Sequence, residues 1–204
     1  MNYPAFYDLA PRITMHDPLA ALLGAAGDGL LEYAYLDAVR LAGHSCPTVA
    51  GAYLVARAAM MTLFPDGPAT RGGIDVRMPA PETDGVNGVI AQVLTLVTGA
   101  AAGNGFHGIG GRFARQNLLQ FADVAGAGAI GFRRRDSGAA VSVELDLRPV
   151  PAPPRLGELL AAALDPAASA AKREAFAQAW QGRVQTLLLE HADDPEVLRV
   201  TRMR

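Results

Sequence analysis

The feature that most constrains how this chain can fold is a proline placed immediately before a long helical pattern. Pro47 suits the first position of a helix, where its missing N–H leaves no hydrogen bond unmade. The sequence therefore predicts a helix over residues 48–64 with one buried face, ended by Pro65, and makes Cys46 the residue that flanks its start. Its apolar residues recur every three or four positions: Val49, Ala52, Tyr53, Ala56, Met60 and Leu63.

Cys46 is the single cysteine of the chain, and His44 precedes it by two residues. A sulfur at a helix start lies at the positive end of the helix dipole, which favours the thiolate form. His44 cannot share a helical face with Cys46, but it can approach it from the preceding loop. Two interpretations stay open. The pair is either a buried small hydrophobe beside an ordinary histidine, or part of a site for Zn²⁺ or a similar ion.

A glycine-rich run over residues 99–111 is the second informative stretch. So many glycines indicate either flexibility or a backbone that passes close to a ligand or another element. Within the run, His107 has room to reach a metal held by His44 and Cys46, or it is an exposed loop histidine. Three of the glycines fit the GxGxxG spacing of dinucleotide sites by count, but of the required context only an acidic residue, Asp123, is present.

Composition excludes several classes of function. The chain has 204 residues, a formal net charge of −2 and 19% charged residues, so no basic surface indicates nucleic-acid binding. One cysteine excludes an internal disulfide framework and fits a reducing compartment. Residues 1–18 lack the pattern of a signal peptide, and polar residues and glycines interrupt the uncharged stretch 85–111, which favours a buried segment over a membrane span. We therefore expect a cytoplasmic protein with no nucleic-acid or membrane partner.

Local patterns predict the remaining elements. Asp17 should cap a short helix that ends near Gly24 or Gly27, and a short strand is expected at 73–78. Alternation favours a strand over residues 30–41 and a hairpin of 130–135 with 140–147, and an edge strand is expected at 197–201. Helices are predicted at 86–98, 113–121, 156–164 and 170–191. The arginines at 133–135 are either a solvated strand surface or a contact for an acidic ligand, and nothing local decides between them.

Taken together, these motifs resemble one known family, formed by the E-type subunits of formylmethanofuran dehydrogenase. The Gly43-His44-Ser45-Cys46-Pro47 element followed by Gly51 is similar to the GHxCPG-type motif of that family. Residues 92–105, an apolar helix ending in Thr-Gly and followed by Gly-Asn-Gly, also resemble it. So does the C-terminal pattern of a long helix with Trp180-Gln181 and a closing strand, and the resemblance covers roughly residues 30–201.

The resemblance implies a single compact α+β domain, with a mixed β-sheet packed against helices, that tends to dimerise. It also implies a ligand role for His44 and Cys46 at a metal site. On this basis residues 1–29 form an N-terminal segment, 30–148 the core that carries the metal motif, and 149–204 a C-terminal helical extension. Three family positions differ here, since Ala42 stands for a histidine and Val89 and Ala100 stand for cysteines. The family's C-terminal zinc ribbon, found in some members, is absent.

Fewer thiolates would leave a weaker and more open site, completed by His107, by His16, by a carboxylate such as Asp84, or by water. The leading hypothesis is a cytoplasmic, homodimeric, accessory or metal-handling protein that binds zinc or a comparable divalent transition ion, with an open position for a small molecule. One alternative is an enzyme with Cys46 as nucleophile and His44 as base. The other is a small-molecule binding module that uses the glycine run and the three arginines.

Overall fold

The computed structural model describes residues 3–123 and 128–203. Strands in these residues form two sheets. The smaller has the order β2-β1-β3, with β1 antiparallel to β2 and parallel to β3. The larger has the order β5-β4-β6-β7-β8 and is antiparallel except where β5 pairs with β4. The strands are β1 (Ile13–His16), β2 (Leu30–Tyr33), β3 (Ala69–Thr70), β4 (Ile74–Arg77), β5 (Leu119–Gln120), β6 (Ile130–Arg134), β7 (Ala140–Leu145) and β8 (Leu198–Met203).

Helices pack against these sheets, so the predicted α+β class is confirmed. A 3-10 helix spans Ala5–Leu9, and the α-helices are α1 (Pro18–Leu22), α2 (Tyr35–Ala42), α3 (Pro47–Leu63), α4 (Asn87–Thr98), α5 (Leu156–Leu164) and α6 (Ala170–Leu189). In the described part of the chain, no helix combines the length and the apolar character that crossing a membrane requires.

Helix α3 is the centre of the molecule, and it begins at Pro47 as the sequence predicted. It packs against α2, α4 and α6 and against strands β7 and β8, and most of its side chains are buried. Gly51 permits the close approach of β7, because a Cβ at that position would overlap the Cδ2 atom of Leu145. The helix is therefore buried on more than the single face that its periodicity predicted.

The strand predicted over residues 30–41 is only partly correct. Strand β2 ends at Tyr33, and helix α2 begins at Tyr35. The carboxylate of Asp37 accepts the backbone N–H of Ala34 at 2.9 Å, which stabilises the start of a helix. Tyr35, Ala38 and Val39 are then buried at helical spacing. The alternating pattern in the sequence was compatible with both structures, and tertiary packing favours the helix.

The helix predicted over residues 113–121 is wrong. Phe113 and Asn117 have φ values of 63° and 59°, which no α-helix accommodates. The N–H groups of Asn117 and Leu118 donate to the carbonyls of Ala102 and Ala101 rather than to carbonyls four residues earlier. This segment is therefore an irregular loop that packs on the glycine-rich run and leads into β5.

The other predicted elements are present, with bounds that differ by a few residues. Asp17 caps α1 by accepting the N–H groups of Leu19 and Ala20, and Gly99 ends α4 in the left-handed conformation. The 130–147 region is the predicted hairpin. Strand β8 lies at the edge of the larger sheet, as the C-terminal pattern indicated.

Candidate metal site at the start of helix α3

Cys46 occupies the position that the sequence predicted for it, flanking the first residue of α3. Its backbone is extended, and the N–H of Val49 donates to its Sγ at 3.5 Å. The side chain is 9% exposed and belongs to the edge of the hydrophobic core. A backbone N–H and the positive end of the helix dipole both stabilise negative charge on sulfur. A cysteine in this position can serve as a metal ligand or as a nucleophile.

His44 lies in the short turn between α2 and α3 and is exposed. Its Nδ1 lies 3.0 Å from the carbonyl oxygen of Ala42. A carbonyl can only accept, so this hydrogen bond places a proton on Nδ1. In the neutral ring the lone pair is then on Nε2, the nitrogen that remains for a metal. A backbone carbonyl on the other ring nitrogen is a common support for a ligating histidine.

Ser45, the residue between them, is held by side chains distant in the sequence. Trp180 Nε1 donates to the Ser45 carbonyl at 2.9 Å, and Gln181 Nε2 donates to the same oxygen at 3.3 Å. The Ser45 hydroxyl donates to Gln181 Oε1 at 3.0 Å and lies 2.8 Å from the hydroxyl of Tyr35. Helix α6 therefore fixes the backbone on which His44 and Cys46 stand.

The hydrogen-bond directions in this network can be assigned. The Ser45 hydroxyl gives its one proton to Gln181, so Tyr35 must donate to Ser45. Tyr7 donates to Gln181 Oε1 at 3.2 Å. Burial raises the pKa of Tyr35 and of Tyr7, which keeps both hydroxyls protonated as donors. The network is neutral and rigid, and it supplies support rather than a titrating group.

The predicted additional ligands are in different parts of the fold. His107 is exposed in the glycine-rich loop, His16 is half-buried at the end of β1, and Asp84 is exposed before α4. Over residues 3–123 and 128–203, no group of three or more His, Cys, Asp or Glu side chains is arranged to hold a metal ion. The described structure therefore does not gather His44, Cys46 and His107 into one site. The Sγ atom of Cys46 and the Nε2 atom of His44 remain as two donors of the types that zinc prefers.

Backbone packing explains part of the glycine run. A Cβ on Gly105 would lie 2.6 Å from the Cα and N atoms of Gln116, so the two loops are in direct backbone contact. The GxGxxG run follows helix α4 rather than a strand, and an irregular loop follows it. Its surroundings are therefore not those of a dinucleotide-binding fold.

Sequence reasoning did not identify Tyr7 and Tyr35 as parts of the site. Tyr7 contacts Gln181 across 174 residues, and Tyr35, which contacts Ser45 ten residues later, lies in a segment that was predicted as a strand. A signal was present for Trp180-Gln181, which belong to the C-terminal pattern of the family resemblance. Ser45 and Trp180 are 135 positions apart in the sequence, so no local pattern indicates that they are in contact.

No protein-family model and no curated protein matches this sequence.

Proposed function

We propose that this protein binds zinc or a comparable divalent transition ion through His44 and Cys46, and that it is related to the E-type subunits of formylmethanofuran dehydrogenase. One observation carries the proposal: backbone contacts orient both donors at a single helix start. The Ala42 carbonyl directs the lone pair of His44 to Nε2, and the Val49 N–H favours negative charge on Cys46. The support from Trp180 and Gln181 to Ser45 holds the two residues in place.

Two protein donors leave coordination positions open, which suits metal handling or binding of a small molecule better than a purely structural role. A single cysteine cannot hold an iron–sulfur cluster, so we propose an accessory role rather than a redox role. His107 stays the predicted third ligand. We also propose a homodimer located in the cytoplasm, which light scattering of the purified protein and cell fractionation would test.

Metal content of protein purified without added metal tests the assignment. We expect bound zinc or a similar ion in the native chain, and its loss from the His44→Ala and Cys46→Ser variants. Serine is a good N-cap residue, so Cys46→Ser should retain the start of α3 while removing the soft ligand. His191→Ala serves as a histidine control outside the motif, and His107→Ala tests the third ligand. Equal metal content in the native, His44→Ala and Cys46→Ser proteins would exclude the assignment.

A thiol-dependent enzyme is the second candidate, because the N–H of Val49 that favours a ligating thiolate would equally favour a nucleophile. Alkylation by iodoacetamide separates the two functions. A metal-bound sulfur should be protected until a chelator is added, whereas a free thiolate should react at the same rate with and without chelator. Fast alkylation independent of chelator would favour the enzyme.

A further inference from the structure

A small cavity of about 150 Å³ lies between the two sheets, away from the His44–Cys46 motif. Thr70 and Arg71 line it at the end of β3, Gly73 lines it just before β4, and Arg135 lines it just after β6. Phe113 and Arg115 line it from the irregular loop. Three guanidinium groups around one cavity of this size form an unusual concentration of positive charge.

Arg115 is a buried residue of this cavity whose hydrogen-bonding capacity is largely unused. The residue is 7% exposed, and burial lowers its pKa even though Asp17 opposes that shift. A guanidinium has five N–H donors, but the side chain of Arg115 reaches a single acceptor within the described residues, Asp17 Oδ1 at 2.7 Å from Nη2. Its Nε is buried and has no hydrogen-bond partner there. Buried donors of this kind are rare in folded proteins and call for an acceptor.

The charges around the cavity do not balance. Asp17 Oδ2 also accepts from Arg71 at 3.0 Å, so one carboxylate serves two guanidinium groups and leaves one positive charge uncompensated. Arg71 uses its Nε and Nη2 donors on the carbonyls of Thr95 and Leu96. Arg135, which lines the cavity, is half-exposed, and its one ion pair among the described residues is a 3.5 Å contact with the half-exposed Asp75.

We propose that this cavity binds a small oxyanion, a phosphate group or a short carboxylate, on Arg115 with Arg135 at the entrance. Such an anion supplies both the missing acceptor and the missing negative charge. The volume equals that of about five water molecules at ~30 Å³ each, which is enough for one phosphate or one short carboxylate. The sequence left open whether the arginines at 133–135 contact an acidic ligand. The structure assigns that contact to Arg135.

Calorimetric titration of the full chain with inorganic phosphate and with acetate, at constant ionic strength in chloride, tests the proposal. We expect saturable binding of one anion per chain. Arg135→Gln should weaken it about tenfold to a hundredfold, as expected for loss of a hydrogen bond to a charged group. Arg133→Gln is the matched control. It removes the same charge at a position two residues before Arg135, and the side chain of Arg133 does not line the cavity.

Arg115→Lys is the second variant, because it retains the charge but removes Nε, and it should also weaken binding. Tighter binding of phosphate than of acetate would identify a phosphate-bearing ligand, and the reverse order a carboxylate. Absence of saturable binding of either anion would refute the proposal. An equal effect of Arg133→Gln and Arg135→Gln would refute it as well, because it would show a general charge effect. If Arg115→Lys does not fold, Arg135→Gln alone decides the question.

Discussion

Gly72→Ala is the substitution that tests the buried charge cluster most directly. Gly72 has a φ of 76°, and a Cβ built on it would overlap the Nη1 and Cζ atoms of Arg115. An alanine side chain must therefore push the guanidinium away from Asp17, whose Oδ1 accepts from Arg115 at 2.7 Å. The left-handed backbone costs an alanine about 1–2 kcal/mol. A lost hydrogen bond to a charged group adds about 1.5–3 kcal/mol, for a total of about 2.5–5 kcal/mol.

Gly138 provides a control with the same backbone geometry. Its φ is also 76°, but the nearest atom to a Cβ there is the flexible end of Arg133 at 3.5 Å, an ordinary contact. Gly138→Ala should therefore cost only the backbone contribution of about 1–2 kcal/mol. Urea unfolding of both variants measures the difference from the shift in midpoint. Equal destabilisation of the two would show that the Arg115–Asp17 contact contributes nothing.

A double-mutant cycle isolates the contact further. In an Arg115→Ala background the guanidinium is absent, so Gly72→Ala should cost no more than Gly138→Ala. If the excess cost of Gly72→Ala persists without Arg115, its origin is the backbone near Thr98, whose carbonyl accepts the Gly72 N–H at 2.7 Å, rather than the ion pair.

Two further predictions concern Asp17 and Cys46. Burial raises the pKa of Asp17, but hydrogen bonds from Arg71, the charge of Arg115 and the capping N–H groups together hold it below its ordinary 3.8. Its stabilisation is therefore present above pH 3.8 and is lost as the pH falls below that value toward the folded-state pKa. Asp17→Asn should cost about 3–5 kcal/mol at pH 7. Urea unfolding at a series of pH values should show that the variant loses less stability than the native chain as the pH falls below 3.8. An unchanged loss of stability in acid would contradict the assignment. For Cys46, the alanine variant should be less stable than the serine variant by about 0.5–2 kcal/mol in metal-free protein, since only serine can cap α3; equal stabilities would show that the cap contributes nothing.

The elements that the sequence predicted correctly have strong local signals. Pro47 marks the start of α3, Asp17-Pro18 the start of α1, and Gly99 the end of α4. The prediction at Cys46 was also local, because a helix start is defined by its own residues. In contrast, residues 35–41 fit two periodicities at once, and burial of Tyr35 against α3 and the N-terminal residues helps to favour the helix.

The contacts that support Ser45 from helix α6 and those that surround the arginine cavity are nonlocal, which explains why no sequence pattern revealed them. Asp17 was predicted as a cap, but its ion pairs with Arg71 and Arg115 cross 54 and 98 residues. The loop at 113–118 looked helical because its side chains have no strong breaker, whereas its backbone N–H groups are satisfied by the glycine-rich run. Arg115 is buried by this packing between the two loops, and its neighbours in the sequence give no sign of that burial.

The two proposed sites lie toward opposite ends of helix α3. Cys46 precedes its first residue, whereas Arg134, next to the cavity residue Arg135, donates to the carbonyl of its last residue, Leu63, at 2.9 Å. A helix of 17 residues is about 25 Å long at 1.5 Å per residue. Its dipole favours a cationic side chain such as Arg134 at the Leu63 end. A metal on Cys46 and an oxyanion on Arg115 therefore need no shared residue, and each proposal can fail while the other stands.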